Sequence, residues 1–308
     1  MTIPFRWGIL GTGGIARQFA RGLTALNDAT LAAVGSRSLA GADAFAQEFG
    51  ATRAHATYAD LVADPAVDAI YVATPHPFHR AHTELALRAG KAVLCEKPFA
   101  VNRAEGAAMV ATARSQGRFL MEAMWTRFLP VTVRVREWIA AGRIGEVRQI
   151  QGDFGFRCGW NPASRLLAKD LAGGALLDVG IYCLAYARMC IGTAPDQILA
   201  TAHLGETGVD EQVAILARHP GGILVNLTAA VRTATPHRMV ICGTAGRIEV
   251  PAFWHASEAT CFSDGAQADR FAPPAESNGY QHQAAEVARC VRVGLRESPT
   301  MPLDETLA

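Results

Sequence analysis

Through the first third of the chain, short apolar runs alternate with segments whose apolar positions recur every three or four residues. The runs Arg6–Leu10, Leu31–Val34, Ala69–Ala73, Ala92–Cys95 and Phe119–Glu122 predict strands. The periodic segments Ile15–Leu26, Leu39–Phe49, His79–Ala89 and Asn102 to about Gln116 predict helices. Ser38 and Asn102 stand where N-caps belong, and Gly90 where a helix should stop. Strands separated by helices of this length imply a doubly wound parallel sheet of Rossmann type over residues 1–124.

From residue 125 to the end the pattern changes. Strand-like runs follow one another at Val147–Phe154, Ile198–His203, Val213–Arg218, Ile223–Val231, His237–Cys242 and Arg247–Val250. Turns such as His219-Pro220-Gly221-Gly222 separate several of them. A second α/β domain over 125–308 follows, with a large, open, mostly antiparallel sheet. One helix is expected at about Gly174–Met189 and another at about Gln281–Val293, while Ser263–Glu276 reads as a loop. The first helix should cover one face of that sheet. Ile223, Val225 and Leu227 are expected on the other face, free to pair with a second copy across a two-fold axis.

Composition narrows the class. The 308 residues carry 29 basic and 28 acidic side chains, a net charge of +1, which leaves no electrostatic footprint for nucleic acid or an anionic membrane. Apolar runs fall short of the ~20 residues of a membrane span. No basic region followed by an apolar core opens the chain, so a cytoplasmic location is expected. Seven cysteines, an odd number with no Cys-x-x-Cys, suit reduced thiols rather than a disulfide framework. His76, His79 and His82 recur at three-residue spacing without an acidic or cysteine partner nearby, so no metal site is expected.

Candidate chemistry begins at Gly11-Thr12-Gly13-Gly14-Ile15-Ala16, between the first strand and first helix. It fits Gly-x-Gly-x-x-(Gly/Ala). Gly11 permits the tight turn, Gly13 lets a pyrophosphate reach backbone N–H groups, and Ala16 allows close helix–strand packing. In NAD enzymes an acid about 20 residues further on binds the ribose hydroxyls. Between Ala29 and Ala42 there is none; the second strand ends in Ser36-Arg37-Ser38. A guanidinium pairs with a 2′-phosphate and hydroxyls donate to its oxygens, which favours NADP as the cofactor.

The segments Ala73-Thr74-Pro75-His76, Glu96-Lys97-Pro98 and Gly173-Gly174-Ala175-Leu176-Leu177-Asp178-Val179-Gly180-Ile181-Tyr182 resemble the glucose–fructose oxidoreductase/inositol dehydrogenase family across nearly the whole chain. Phe119–Phe128, Glu206–Asp210 and Glu297-Ser298-Pro299 are most similar to its dimeric dihydrodiol dehydrogenases and NADP-linked xylose dehydrogenases. That resemblance implies hydride transfer with a sugar or cyclic diol. It also implies a dimer through the open sheet, a last helix beyond Ala308, and a cis peptide before Pro98. Lys97 and Tyr182 would bracket the substrate carbon with Asp178 beside them. Thr74, Pro75, His76, His79, Glu96, Lys97, Trp125 and Arg127 join the glycine turn as cofactor contacts. Many members carry His where this chain has Tyr182.

Alcohol oxidation requires a base within hydrogen-bond reach of the oxygen that loses its proton. Tyr182 suits that role if an ammonium such as Lys97 stabilises its phenolate, lowering its pKa from about 10. Asp178, four residues before Tyr182, shares its helical face and can keep the lysine charged. Trp125, Phe154, Arg157, Trp160 and Tyr182 offer apolar walls with polar points for a ring-shaped substrate. Two other functions fit the same fold: a non-catalytic dinucleotide-binding sensor, and a glycoside hydrolase that retains its dinucleotide. Steady release of NADPH separates a dehydrogenase from both.

Overall fold

The computed structural model describes residues 3–308, and the chain divides into two compact units. The first runs to Trp125 and also includes Glu276–Ala308; the second is Thr126–Ala275.

The first unit opens with β1 (Phe5–Leu10), α1 (Gly14–Leu23), β2 (Ala29–Gly35), α2 (Leu39–Phe49), β3 (Arg53–His55) and α3 (Tyr58–Ala63). It continues with β4 (Ala69–Val72), α4 (His79–Arg88), β5 (Ala92–Glu96), α5 (Arg103–Gln116) and β6 (Leu120–Ala123). Among the described residues, six strands form one parallel sheet in the order β3-β2-β1-β4-β5-β6, the Rossmann arrangement. Strands β4, β5 and β6 are buried along their whole length, which explains why they read as unbroken apolar runs. The predicted caps form: Ser38 accepts from Gly41 N and Asn102 Oδ1 accepts from Glu105 N. The edge strand β3 has three residues and the helix α3 six, too short for either period to show in the sequence.

The second unit begins with α6 (Pro130–Ala140) and β7 (Val147–Gly155). A π turn at Leu176–Gly180 then leads into α7 (Ile181–Ile191). Seven strands follow: β8 (Gln197–Leu204), β9 (Asp210–His219), β10 (Ile223–Ala230), β11 (Met239–Gly243), β12 (Gly246–Val250), β13 (Ala259–Ser263) and β14 (Ala266–Phe271). The eight-stranded order is β14-β13-β12-β11-β7-β10-β9-β8, antiparallel except where β10 runs parallel to β7. Lys169–Ile191 is long and apolar enough to pass for a membrane span by composition, but a π turn interrupts it and more than half of its most apolar 18-residue stretch is buried.

Three expectations need correction. The segment Ser263–Glu276 contains a strand, β14; as an exposed edge strand it is polar and so looks like a loop in the sequence. Residues 276–308 pack with the first unit, not the second. There α8 (Tyr280–Arg292) lies on α1, where a Cβ at Gly22 would come within 2.9 Å of Tyr280 Cβ. Asn278 Nδ2 also donates to the Gln18 carbonyl at 2.8 Å. The short helix α9 (Leu303–Leu307) closes on α5, with Leu303 in the core. Finally, Val225 and Leu227 lie on the covered face of the second sheet. They share a side of β10 with Ala229, whose Cβ would sit 3.4 Å from a Cβ on Gly180 of the π turn. The open face instead carries Leu224, Leu216 and Leu199, each more than half exposed. Consecutive apolar residues at Ile223, Leu224 and Val225 hid the phase of the alternation.

Candidate active site

The predicted nucleotide contacts of the first unit gather where the parallel strands end. Gly11–Ala16 follows β1, Ser36–Ser38 follows β2, Thr74–His79 follows β4, Lys97 follows β5 and Trp125 follows β6. The carboxyl edge of such a sheet is where doubly wound folds bind ligands. Gly11 has φ +105, and a Cβ there would lie 3.0 Å from the Ala73 carbonyl, so only glycine fits the turn. Gly13 caps α1, and nothing lies within 4 Å of a Cβ on Gly13 or Gly14. That open space over a helix N-terminus with no acid in its first turn suits a pyrophosphate. Ala16 is fully buried beneath it.

At the end of β2, Arg37 is exposed and forms no ion pair among the described residues. It lies near enough to Tyr58 to oppose the upward push that burial gives that phenol. The Ser38 hydroxyl accepts from Gly41 N at 3.3 Å and keeps its proton for a further acceptor. These groups fit a 2′-phosphate.

The loop after β4 is fixed by its histidines. Thr74 Oγ1 lies 3.0 Å from His82 Nδ1. His79 is wholly buried, with Nε2 2.7 Å from the Thr74 carbonyl and Nδ1 2.8 Å from the Pro98 carbonyl. Burial and the Lys97 charge push its pKa below the ordinary value, although the carbonyls oppose this. A neutral ring donates to only one of the two. The His76 ring packs against it edge-on, 5.8 Å away. His79 and His82 fix the loop; among the described residues no group of three or more His, Cys, Asp or Glu is placed together to hold a metal ion.

Lys97 is half-buried, and its bond to Pro98 is cis. Glu96 before it is buried; its carboxylate accepts from Tyr71 Oη and, at 3.2 Å, from Lys97 N. Trp125 is buried and stacked on Tyr280, with ring centroids 4.5 Å apart.

In the second unit, Asp178 occupies the π turn and Tyr182 the first turn of α7; both are buried. Asp178 Oδ1 accepts from Arg165 at 2.7 Å. The Gly-Gly pair has a packing cause. Gly174 has φ +118, and a Cβ there would strike Asp210 Oδ1 at 2.0 Å. Asp210 Oδ2 accepts from Leu176 N at 2.6 Å and so anchors the π turn. Tyr182 meets Phe154 edge-on at 5.5 Å. Phe154 in turn stacks on Trp254 at 4.9 Å and meets His237, also at 4.9 Å. Trp254 and His237 were not singled out in the sequence, where neither belongs to a motif. His237 holds a positive φ of 60, with its N–H on Asp153 and its ring on the Gly155 carbonyl at 2.6 Å.

The remaining predicted residues stand apart from this cluster. Arg157 is exposed and bridges to Arg232, whose guanidinium lies 5.6 Å from the half-exposed Trp160 ring. Arg127 is buried in the second unit, close enough to Cys190 to restrain the rise that burial gives its thiol, to about 12. All seven cysteines are free.

Comparison with known proteins agrees with these features. Residues 5–124 match the oxidoreductase family with the NAD-binding Rossmann fold, and residues 132–249 match the GFO/IDH/MocA C-terminal domain. The mouse trans-1,2-dihydrobenzene-1,2-diol dehydrogenase is 39% identical, over 99% of this chain and 93% of its own. The human enzyme of that name is 37% identical with the same coverage. Aldose-aldose oxidoreductase from Caulobacter crescentus superposes with a TM-score of 0.91 at 28% identity, covering 99% of this chain and 93% of its own. KijD10, a 3-ketoreductase from Actinomadura kijaniata solved with NADP, gives 0.86 at 26% identity, over 99% of this chain and 94% of its own. The chain belongs to the GFO/IDH/MocA oxidoreductase family.

Proposed function

We propose that this chain is an NADP-dependent dehydrogenase. Its substrate is the secondary alcohol, or the corresponding carbonyl, of a sugar or cyclic vicinal diol. The observation that carries the reading is Lys97, held by buried side chains at the carboxyl edge of the sheet that bears the glycine turn. Full-length similarity to dihydrodiol dehydrogenases and aldose oxidoreductases supports the substrate class. NADP is favoured because Arg37, Ser36 and Ser38 stand where an NAD enzyme places an acid.

Bound NADP supplies the hydride acceptor. Gly11–Ala16 would hold its pyrophosphate, and Thr74, Pro75, His76, His79 and Trp125 would be further contacts, as the family resemblance implies. Tyr182 takes the hydroxyl proton as the carbon is oxidised, and returns it in the reverse direction. The family resemblance implies that Lys97 acts on the same oxygen, and an ammonium there would stabilise the phenolate. Asp178 supplies the countercharge. Phe154, Trp254 and His237 give Tyr182 an aromatic, weakly polar surround that suits the face of a ring.

We further assign a homodimer through the open face of the second sheet, where Leu199 and Leu216 pair across β8 and β9 with Leu224 on β10. The free thiols suit the cytoplasm.

The test is a panel of xylose, glucose, an anhydro-sugar and an arene trans-dihydrodiol with NADP, read as NADPH absorbance. Steady NADPH release with at least one of them is expected. Binding of NADP with no release on any would favour the sensor or the dinucleotide-retaining hydrolase.

A further inference from the structure

The backbone that follows β5 is fixed atom by atom. Lys97 N donates to Glu96, the Pro98 carbonyl faces His79 Nδ1, and the Phe99 carbonyl accepts from Cys95 Sγ at 3.7 Å. The fourth contact comes from the neighbouring strand. Glu122, opposite Cys95 on β6, accepts from Phe99 N at 3.2 Å through Oε1. Its Oε2 accepts from Thr306 Oγ1 of α9 at 3.1 Å. Glu122 is 3% exposed and lies among apolar neighbours of the first unit's core.

A carboxyl so deeply buried is costly to desolvate, and an apolar side chain of equal bulk would fill the space at less cost. What the carboxyl provides is direction: an acceptor aimed at one backbone N–H, held from behind by a second donor. We propose that Glu122 is a positioning residue for Lys97, setting the path of residues 97–99, and that Thr306 of α9 orients it. The proposal rests on the reading of Lys97 given above. Glu122 does not touch substrate; it acts through the backbone two residues beyond the lysine. A misplacement of 1 Å in a reacting group costs roughly 10²-fold in rate, so a fraction of that movement is enough to register.

The experiment uses the full chain with NADP. Turnover, KM, NADP affinity by fluorescence titration and thermal midpoint are measured for Glu122→Ala, Glu122→Gln, Lys97→Met and the Lys97→Met/Glu122→Ala double variant. Glu122→Ala is expected to lower kcat roughly 10–100-fold while NADP affinity and KM change by less than about threefold. Glu122→Gln keeps an oxygen for Phe99 N and should restore kcat to within about threefold of the unmodified protein. In the Lys97→Met background, Glu122→Ala should cost less than about twofold more, because its effect passes through the lysine. A slow Lys97→Met that loses the full factor again on adding Glu122→Ala leaves the functional reading standing and overturns this inference. A Lys97→Met enzyme with normal turnover removes the functional reading and this inference with it. If Glu122→Ala does not fold, Thr306→Val decides: about a two- to fivefold fall in kcat at unchanged NADP affinity supports the proposal, and unchanged kcat overturns it.

Discussion

Gly174 shapes the turn that carries Asp178 and leads to Tyr182, and Gly174→Ala is the sharpest single perturbation. Its φ of +118 is outside the region L side chains adopt, and an added Cβ would meet Asp210 Oδ1 at 2.0 Å and Cγ at 2.9 Å. The backbone cannot relax simply, because Leu176 N is bound to the other oxygen of that carboxylate at 2.6 Å. Forced φ costs about 1–3 kcal/mol, and loss of the Asp210 anchor about 0.5–2 kcal/mol more. The two are coupled, so a total of roughly 2–4 kcal/mol is expected. The same turn places Asp178 and Tyr182, so turnover should fall together with stability. Urea denaturation followed by circular dichroism gives the first quantity and NADPH production the second. Gly13→Ala is the control: its Cβ meets nothing within 4 Å, so stability should change by less than about 1 kcal/mol while NADP affinity falls. A Gly174→Ala protein within about 0.5 kcal/mol of the unmodified chain would refute the argument, since ordinary surface changes do no more than that.

Other outcomes follow from single contacts. Arg37→Ala should weaken NADP by roughly 10- to 150-fold, equivalent to about 1.5–3 kcal/mol, and leave NAD nearly unchanged; equal affinity of the unmodified protein for both cofactors would sink the assignment. Burial pushes the Asp64 carboxyl up, but the Ala66 N–H, His55 and Arg53 more than offset this and hold it below the usual range. A depressed folded pKa stabilises the protein above the unfolded value and is lost as pH falls through the folded one. Asp64→Asn should therefore cost about 1–3 kcal/mol at pH 7 and progressively less below the carboxylate range, measured as urea midpoints against pH. Sedimentation should show a dimer at micromolar concentration, and Leu216→Lys, on the open sheet face, should shift it toward monomer; a monomeric unmodified chain contradicts that assignment.

The strands β4, β5 and β6 could be read from the sequence because they are buried on both faces and need no alternation to be seen. Gly11 and Gly13 could be read as a tight turn into a helix because strand–turn–helix context makes such glycines specific. What escaped had weak local signals. The edge strands β3 and β14 are short or polar, as edges are. The return of α8 and α9 to the first unit depends on close approach at Gly22 and on Leu303, contacts between residues far apart in sequence. Glu122 sits in an apolar run and shows its purpose only when Phe99 N and Thr306 are in place. Trp254 and His237 join Tyr182 through tertiary packing alone.

The central claim is that Lys97 and Tyr182 share the proton chemistry of an alcohol oxidation. The direct measurement is the pH profile of kcat for the unmodified enzyme, Lys97→Met, Tyr182→Phe and the double variant, with NADP binding confirmed for each. Either single change should cut turnover roughly 10²–10⁴-fold. The double variant should be only slightly slower than the slower single, because the two groups act as a unit. In Lys97→Met the basic limb of the residual activity should move to higher pH, since the ammonium that favours the phenolate is gone. A Tyr182→Phe enzyme with near-normal turnover, or losses that multiply in the double variant, would contradict the account.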